Sequence, residues 1–377
     1  MKKVGRSIVN YIKATDKLLF SLCVGAASFG ILIAYSISVN FSSSFANPER
    51  LYVVQGFALV LGILAATFIS TIDYHQMADL WKFHTALCWL LVLLTFVIGY
   101  QRPGIDDKAW LLLPGGLMLQ PSELLKISFI ITFARQMSLA GDELNRPRRL
   151  LPVLAHFAAV VGIIALQGDD GTAVVFIVIG VFMLLAAGIS WKYVLCAGGA
   201  VAAALPLIWF FVLDNDKRNR FLTLLFPEMD PLGIGWQQSR GKIAIGSGKI
   251  FGKGLFADNL QKVPEMQNDF IFAYIGQVLG FAGCVLVVGV LVAICARVLR
   301  ISILSQDNLG RLICVGFFAM LSFQAIANIG MCLSVMPVIG ITLPFLSGGG
   351  SSLLTMFLGI GVVLSVSIHN KQHLFIG

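Results

Sequence analysis

Charge is scarce in this sequence. Of its 377 residues only 12% are Asp, Glu, Lys or Arg, against roughly 25% in an ordinary soluble domain, while 58% are hydrophobic. Such a balance excludes a water-solvated globular domain. Motifs of classical hydrolytic and nucleotide chemistry are missing as well. The five histidines, His75, His84, His156, His369 and His373, never form H-E-x-x-H, which removes a zinc hydrolase, and no G-x-S-x-G occurs. The seven cysteines lie inside apolar runs without C-x-x-C spacing and read as small buried hydrophobes, neither disulfides nor metal ligands. I-G-S-G-K-I-F-G-K-G at 245–254 falls short of a phosphate loop because its spacing is one residue too long and Gly254 stands where Ser or Thr is required. A Gly-rich turn beside Lys242, Lys249 and Lys253 still has the backbone N–H groups and cations to hold phosphate oxygens. No fixed-period repeat, low-complexity tail or basic stripe interleaved with aromatics is present, so nothing indicates nucleic acid.

What fills the chain instead is long apolar runs. They lie at about 18–38, 52–72, 82–99, 122–138, 151–167, 172–189, 192–213, 270–296, 311–332 and 350–368, each near the ~20 residues that cross a bilayer as a helix. The expected fold class is therefore all-α, a polytopic integral membrane protein with ten transmembrane helices forming one domain over 1–377. Basic residues flank alternate spans: Lys2, Lys3, Arg6, Lys13 and Lys17 in the first tail, Arg146, Arg148 and Arg149 after span four, Arg297 and Arg300 after span eight. By the positive-inside rule the tails 1–17 and 369–377 are cytoplasmic. The loop 214–269 between spans seven and eight is then extracytoplasmic, and it is long enough to need a function of its own.

Polar residues placed against this apolar background are the candidates for chemistry. Glu123 and Lys126 are three apart in Q-P-S-E-L-L-K and can neutralise one another on one helical face, as a structural lock or as part of a site. In Q-G-D-D-G-T-A, Asp170 with Thr172 fits a helix cap, whereas Asp169 is free to meet Lys126. W-Q-Q-S-R-G-K-I-A-I reads as a short helix in the membrane interface, with Trp236, Ile243 and Ile245 toward lipid and Arg240 and Lys242 toward headgroups, or else as a loop packed on the bundle. Asp269 in P-E-M-Q-N-D-F-I-F opens an apolar run, four residues after Glu265. It serves either as a helix N-terminal charge or as a general base.

Q-P-S-E-L-L-K, Q-G-D-D-G-T-A, D-P-L-G-I-G-W-Q-Q-S-R-G-K-I-A-I-G-S-G, P-E-M-Q-N-D-F-I-F and M-P-V-I-G-I-T-L-P-F-L-S-G-G-G-S-S resemble, in order, the signature blocks of the SEDS family of RodA, FtsW and SpoVE. The resemblance covers about residues 18–370. It implies a peptidoglycan glycosyltransferase that polymerises lipid II and releases undecaprenyl pyrophosphate, in elongation, division or sporulation. A class B penicillin-binding protein and other elongation or division proteins are the implied partners. It also makes Asp269 the catalytic residue, Glu123, Lys126 and Asp169 an intramembrane polar group, and Trp110 a family tryptophan of the first outer loop. With the reading above, Trp110, Arg240, Lys242, Lys249, Lys253 and Glu265 are the substrate-binding candidates. A divalent cation, Mg or Mn, is compatible with the diphosphate, but no ligand cluster marks one. Pro337, Pro344, Ser347, Gly349 and Ser351 read as shape rather than chemistry.

Four positions depart from the family pattern: Gln267 for a histidine, Ala109 for an arginine, Gly168 for a proline and Gly348 for a tyrosine. Two rival readings stay open at this point, a flippase for lipid-linked precursors and a non-catalytic scaffold for a penicillin-binding protein.

Overall fold

Apolar segments without water to bond their backbones must close their hydrogen bonds internally, and this chain does so almost wholly as helices. The structure, a computed structural model, describes residues 15–101, 108–213, 215–226 and 234–372. Lys2, Lys3, Arg6 and Lys13, the end of the second tail, and the D-P-L-G start of the third signature block lie outside the described residues. In chain order the helices are α1 (Lys17–Asn40), α2 (Arg50–Ser70), α3 (Tyr74–Asp79), α4 (Trp81–Ile98), α5 (Pro121–Ala140), α6 (Pro147–Leu166), α7 (Asp170–Ala186), α8 (Trp191–Leu207), α9 (Asn215–Leu225), α10 (Ile234–Ser247), α11 (Ile271–Ile303), α12 (Asn308–Cys332) and α13 (Gly350–Gln372). A hairpin of β1 (Leu111–Leu113) and β2 (Leu117–Leu119) precedes α5. The starts are set by local chemistry: Asp16, Asp169 and Asp307 each cap a helix through a backbone amide, and Pro121 and Pro147 occupy first turns, where no amide hydrogen is needed.

Each expected apolar run is helical. Among the described residues eight helices are long and apolar enough to cross a membrane, namely α1, α2, α4, α6, α8 with its continuation to Phe211, α11, α12 and α13. The other two differ for physical reasons: α5 carries Glu123, Lys126 and Arg135, and α7 has 17 residues. The chain is thus a mostly helical, multi-pass membrane protein.

The core sits along α12 and α13, the most buried of these helices. α13 lies tightly on α2 because small residues meet: a Cβ added at Gly361 would stand 2.9 Å from the Ala66 backbone, and one at Gly62 would stand 2.8 Å from the Phe357 ring. By contrast α8 has no buried residue at all.

α11 is broken at Gly280, whose φ of 66° and ψ of −163° suit only glycine. The break frees the carbonyls of Gln277 and Val278, and the amides of Lys253 and Gly254 donate to them at 3.0 Å; Phe281 and Ala282 amides in turn donate to Lys249 and Ile250. A Cβ at Gly248 would come within 2.0 Å of the Gly276 carbonyl. The Gly-rich turn is therefore a plug for a helix break, and two of the amides considered as phosphate donors are already bonded.

At one end of the bundle charged side chains join helix ends. Arg297 of α11 donates to Asp16, and His75 bridges Asp73 and Asp307 at 2.9 and 2.7 Å. The Tyr74 hydroxyl also donates to Asp307. Asp269 lies at the opposite end.

Candidate functional site

Asp269 ends a loop that is organised by Glu265. Glu265 adopts a left-handed backbone, with φ of 52°, which lets its carbonyl accept from the Asn268 and Phe270 amides at 2.9 and 3.1 Å. Its carboxylate accepts from the Gln267 and Asn268 side-chain amides. Glu265 thus shapes the loop as well as bordering the adjoining cavity, and Gln267 keeps a polar contact at the departure from the family histidine.

Three successive carbonyls of this loop are held from outside. Gln267 O accepts from the Gly348 amide at 2.7 Å, Asn268 O from the Ser347 hydroxyl at 2.7 Å, and Asp269 O from the Asn328 side-chain amide at 2.9 Å. Ser347 also accepts from the Leu343 amide, and Asn328 donates again to Ile341 O at 2.7 Å. Ser347 and Gly348 belong to the non-helical segment 333–349 between α12 and α13, and Asn328 of α12 bonds the same segment at Ile341. Ile341, Leu343, Phe345, Leu346 and Ser347 of that segment are buried. Irregular backbone is tolerated at such a place only where protein surrounds it. Here Gln55 of α2 donates to Ser347 O, Gln238 of α10 donates to Met336 O, and Gly30 and Gly171 let α1 and α7 approach Leu346 and Ile339. The carboxylate of Asp269 itself is half-buried, and a Cβ at Gly340 would lie 3.9 Å from its Oδ2.

Beside this loop lies a cavity of about 580 Å³ lined by Ser44, Phe45, Trp236, Arg240 and residues 261–267. Its cations are Arg240, which stacks on Trp236 at 5.4 Å from the ring centroid, and Lys262. Asp269 is two residues beyond the lining residue Gln267 and does not itself line the cavity. Of the expected substrate contacts, Arg240 and Glu265 are therefore brought together. Lys242, Lys249 and Lys253 do not line it: Lys242 is exposed on α10, Lys249 sits in the turn that plugs α11, and Lys253 Nζ donates to Asn259 O. Trp110 is likewise outside it, its carbonyl accepting from the Tyr100 amide. Lys262 was not foreseen, because a cation in an irregular loop carries no directional signal in sequence.

α10 does form over the W-Q-Q-S-R-G-K block; it packs on α11 where Ile245 meets Gly276, and its Gly241 faces the Phe270 ring just before α11. Trp236, expected to face lipid, lines the cavity with Arg240; Ile243 is exposed, and Ile245 faces inward, where a Cβ at Gly276 would meet it at 3.1 Å.

Within α5, Lys126 Nζ lies 2.8 Å from Glu123 Oε1, both nearly inaccessible. Asp169 does not pair directly with Lys126. It accepts from Gln120 Nε2 at 2.7 Å and from the Thr172 amide, so Asp169, not Asp170, is the cap of α7. Asp170 instead pairs with Lys217 of α9 at 2.8 Å. Gly168, in place of the family proline, has φ of 85°, which proline cannot adopt. Among the described residues no group of three or more His, Cys, Asp or Glu side chains gathers as a metal site.

Sequence reasoning overlooked Asn328 and Gln55. Each is an uncharged amide set in an apolar stretch of helix, and that placement was the available signal.

Helical membrane architecture with a carboxylate clamped beside a cationic cavity defines a class, and comparison supplies its family. The family model for FtsW, RodA and SpoVE, described as cell cycle protein, matches residues 16–372, and the chain belongs to this family. It is 33% identical over 363 residues to a probable peptidoglycan glycosyltransferase FtsW of Trichlorobacter lovleyi, covering 93% of each chain. It is 33% identical over 285 residues to the peptidoglycan glycosyltransferase MrdB of Escherichia coli, covering 75% of this chain and 76% of that one. Among solved structures, it superposes with a TM-score of 0.79 and 27% identity on a chain from a peptidoglycan synthase complex that coordinates polymerization and crosslinking, covering 95% of this chain and 99% of that one. The rod shape determining protein RodA of Thermus thermophilus aligns at a TM-score of 0.68 and 27% identity, over 94% of this chain and 96% of that one.

Proposed function

We propose that this chain polymerises lipid II into glycan strands, with Asp269 as general base. Its activity is peptidoglycan glycosyltransfer, the activity for which the FtsW and MrdB relatives are named. In the reaction a sugar hydroxyl attacks an anomeric carbon that carries a lipid diphosphate. The hydroxyl proton passes to the Asp269 carboxylate, the new glycosidic C–O bond forms, and the bond from the anomeric carbon to the diphosphate breaks. Undecaprenyl pyrophosphate leaves with the bonding electrons, and Arg240 and Lys262 stabilise its charge.

One observation carries this reading: half-buried Asp269, its carbonyl tied to buried Asn328 of α12, stands two residues past the stretch 261–267 that lines a cavity presenting two cations. Both ends of the chain are cytoplasmic and the site faces outward, with ten helices crossing the membrane if α5 and α7 are added to the eight longer ones. A class B penicillin-binding protein is the partner that cross-links the product; the similarity to a chain from a synthase complex supports such a pairing.

The test is reconstitution in vesicles with and without such a partner, supply of lipid II, and resolution of glycan strands on a gel. Asp269→Ala lowers polymerisation by about 100- to 10,000-fold, whereas Asp142→Ala, an exposed carboxylate at the opposite end, leaves it unchanged. Lipid II that crosses the vesicle without polymerising favours transport and overturns the reading, as does polymerisation undiminished in Asp269→Ala.

A further inference from the structure

We infer that Asn328 and Ser347 are positioning residues that aim the Asp269 carboxylate by fixing the backbone on which it stands; the inference rests on Asp269 being the general base.

A carboxylate on a loop has two freedoms to lose, those of its own torsions and those of the backbone beneath it. The backbone here is immobilised from two independent elements. Asn328, on the last turns of α12 and fully buried, spans the Asp269 and Ile341 carbonyls at 2.9 and 2.7 Å with a single side-chain amide. It thereby ties the loop before α11 to the segment before α13. Ser347, buried in that segment, donates to Asn268 O and accepts from the Leu343 amide, so its hydroxyl proton is committed to the Asp269 loop. Between them the carbonyls of residues 268 and 269 are both bonded, and the Gly348 amide holds that of 267. The left-handed residues Glu265 and Phe345 stand on either side of the junction, with φ of 52° and 65°. Strained conformations persist where the surroundings over-determine them, and here they flank the residue that must be aimed.

A base is effective only within hydrogen-bond reach of the proton it takes, and a displacement of about 1 Å can cost on the order of 100-fold in rate. Neither Asn328 nor Ser347 lines the cavity. Their loss should therefore slow turnover without weakening capture of lipid II.

The experiment is steady-state polymerisation of lipid II by the full chain reconstituted with its partner, comparing wild type, Asp269→Asn, Asn328→Leu, Ser347→Ala and Ser347→Thr. Asn328→Leu is expected to lower kcat by about 100-fold, and Ser347→Ala by about tenfold, each with KM for lipid II within about twofold of wild type. Ser347→Thr keeps the hydroxyl and restores most of kcat, a rescue that mere loosening of the fold would not predict. Asn328→Leu leaves two buried carbonyls without that donor, so if it does not fold, Ser347→Ala and its threonine rescue decide alone. Unchanged kcat in both clamp variants, or a rise in KM with kcat intact, overturns the inference when Asp269→Asn is inactive. Full activity in Asp269→Asn overturns the underlying reading instead.

Discussion

The two ends of the molecule hold their helices together with a different balance of ties. Around Asp269 the ties are hydrogen bonds between side chains and backbone carbonyls, as in Asn328 to Asp269 and Ile341, Ser347 to Asn268, Gln55 to Ser347 and Gln238 to Met336. Around Asp307 side chains also reach carbonyls, as in Ser365 to Ile72 and Arg311 to Ala186, but ion pairs carry much of the junction: His75 with Asp73 and Asp307 and Arg146 with Glu143, all exposed or half-exposed, and Arg297 with the buried Asp16. Among the described residues, the four left-handed non-glycines, Lys249, Glu265, Ser334 and Phe345, all belong to the Asp269 end. Neutral bonds to fixed carbonyls define geometry, whereas solvated ion pairs fasten loosely and respond to pH and salt. The first end is built to aim a group, the second to close a bundle.

If burial is what separates the two kinds of tie, the largest stability effect should come from the ion pair buried within α5. Glu123 and Lys126 side chains are 6% and 1% accessible. Removing the lysine alone strands a carboxylate whose second oxygen already has no partner among the described residues. Lys126→Met should cost about 3–5 kcal/mol of stability, read as a lowered melting temperature of purified protein in detergent. The double variant Glu123→Gln with Lys126→Met should recover most of that loss. A single variant as stable as wild type would show that the pair is not carrying charge in a buried place.

A smaller effect is expected at the break in α11. Gly280 holds a conformation that side chains rarely adopt, and a Cβ there would stand 2.4 Å from the Gly252 amide nitrogen. Gly280→Ala should cost about 1–3 kcal/mol and loosen the 249–254 turn, which hydrogen exchange at the Lys253 and Gly254 amides would report as faster exchange. Slow exchange with unaltered melting would mean that the turn is held by something other than the break.

Much of this architecture is legible in the sequence because a membrane helix announces itself by a long apolar run, and the ordered polar blocks single out Asp269. The finer assignments depend on where the chain turns, and there the sequence reading is off by a residue or a direction. Asp169 and Asp170 exchange roles, cap and ion pair, because a cap is decided by the backbone angle of one residue. Lys242, Lys249 and Lys253 have the right charge for a diphosphate, but the turn that carries two of them is consumed by the α11 break. Asn328 stands in plain view as an amide in an apolar helix, yet its partner carbonyl is 59 positions away in the chain, a pairing that one sequence cannot disclose. Pro337, Pro344, Ser347, Gly349 and Ser351 read as shape, and sequence gives no sign that Ser347 and Gly348 bond the loop of the candidate base.

The smallest effect belongs to His75, and its sign can be worked out. Partial burial works against the charged ring, but the hydrogen bonds and charges of Asp73 and Asp307 outweigh it, so the pKa lies above the usual value near 6.5. Other titratable groups at this junction include Tyr74, bonded to Asp307, His369, whose charge acts on Asp73, and the buried thiol Cys314 near Asp307. Because the folded chain binds the proton more tightly than the unfolded one, the contribution is fully present below about pH 6.5 and is lost as pH rises through the folded value. The His75 side chain is 46% accessible, so screening keeps the contribution under about 1 kcal/mol. Melting temperature followed from about pH 5.5 to 8.5 should therefore show wild type losing its small margin over His75→Gln as the solution becomes alkaline. A margin that grew with pH would mean that neutral His75, not the imidazolium, is the form the two carboxylates hold.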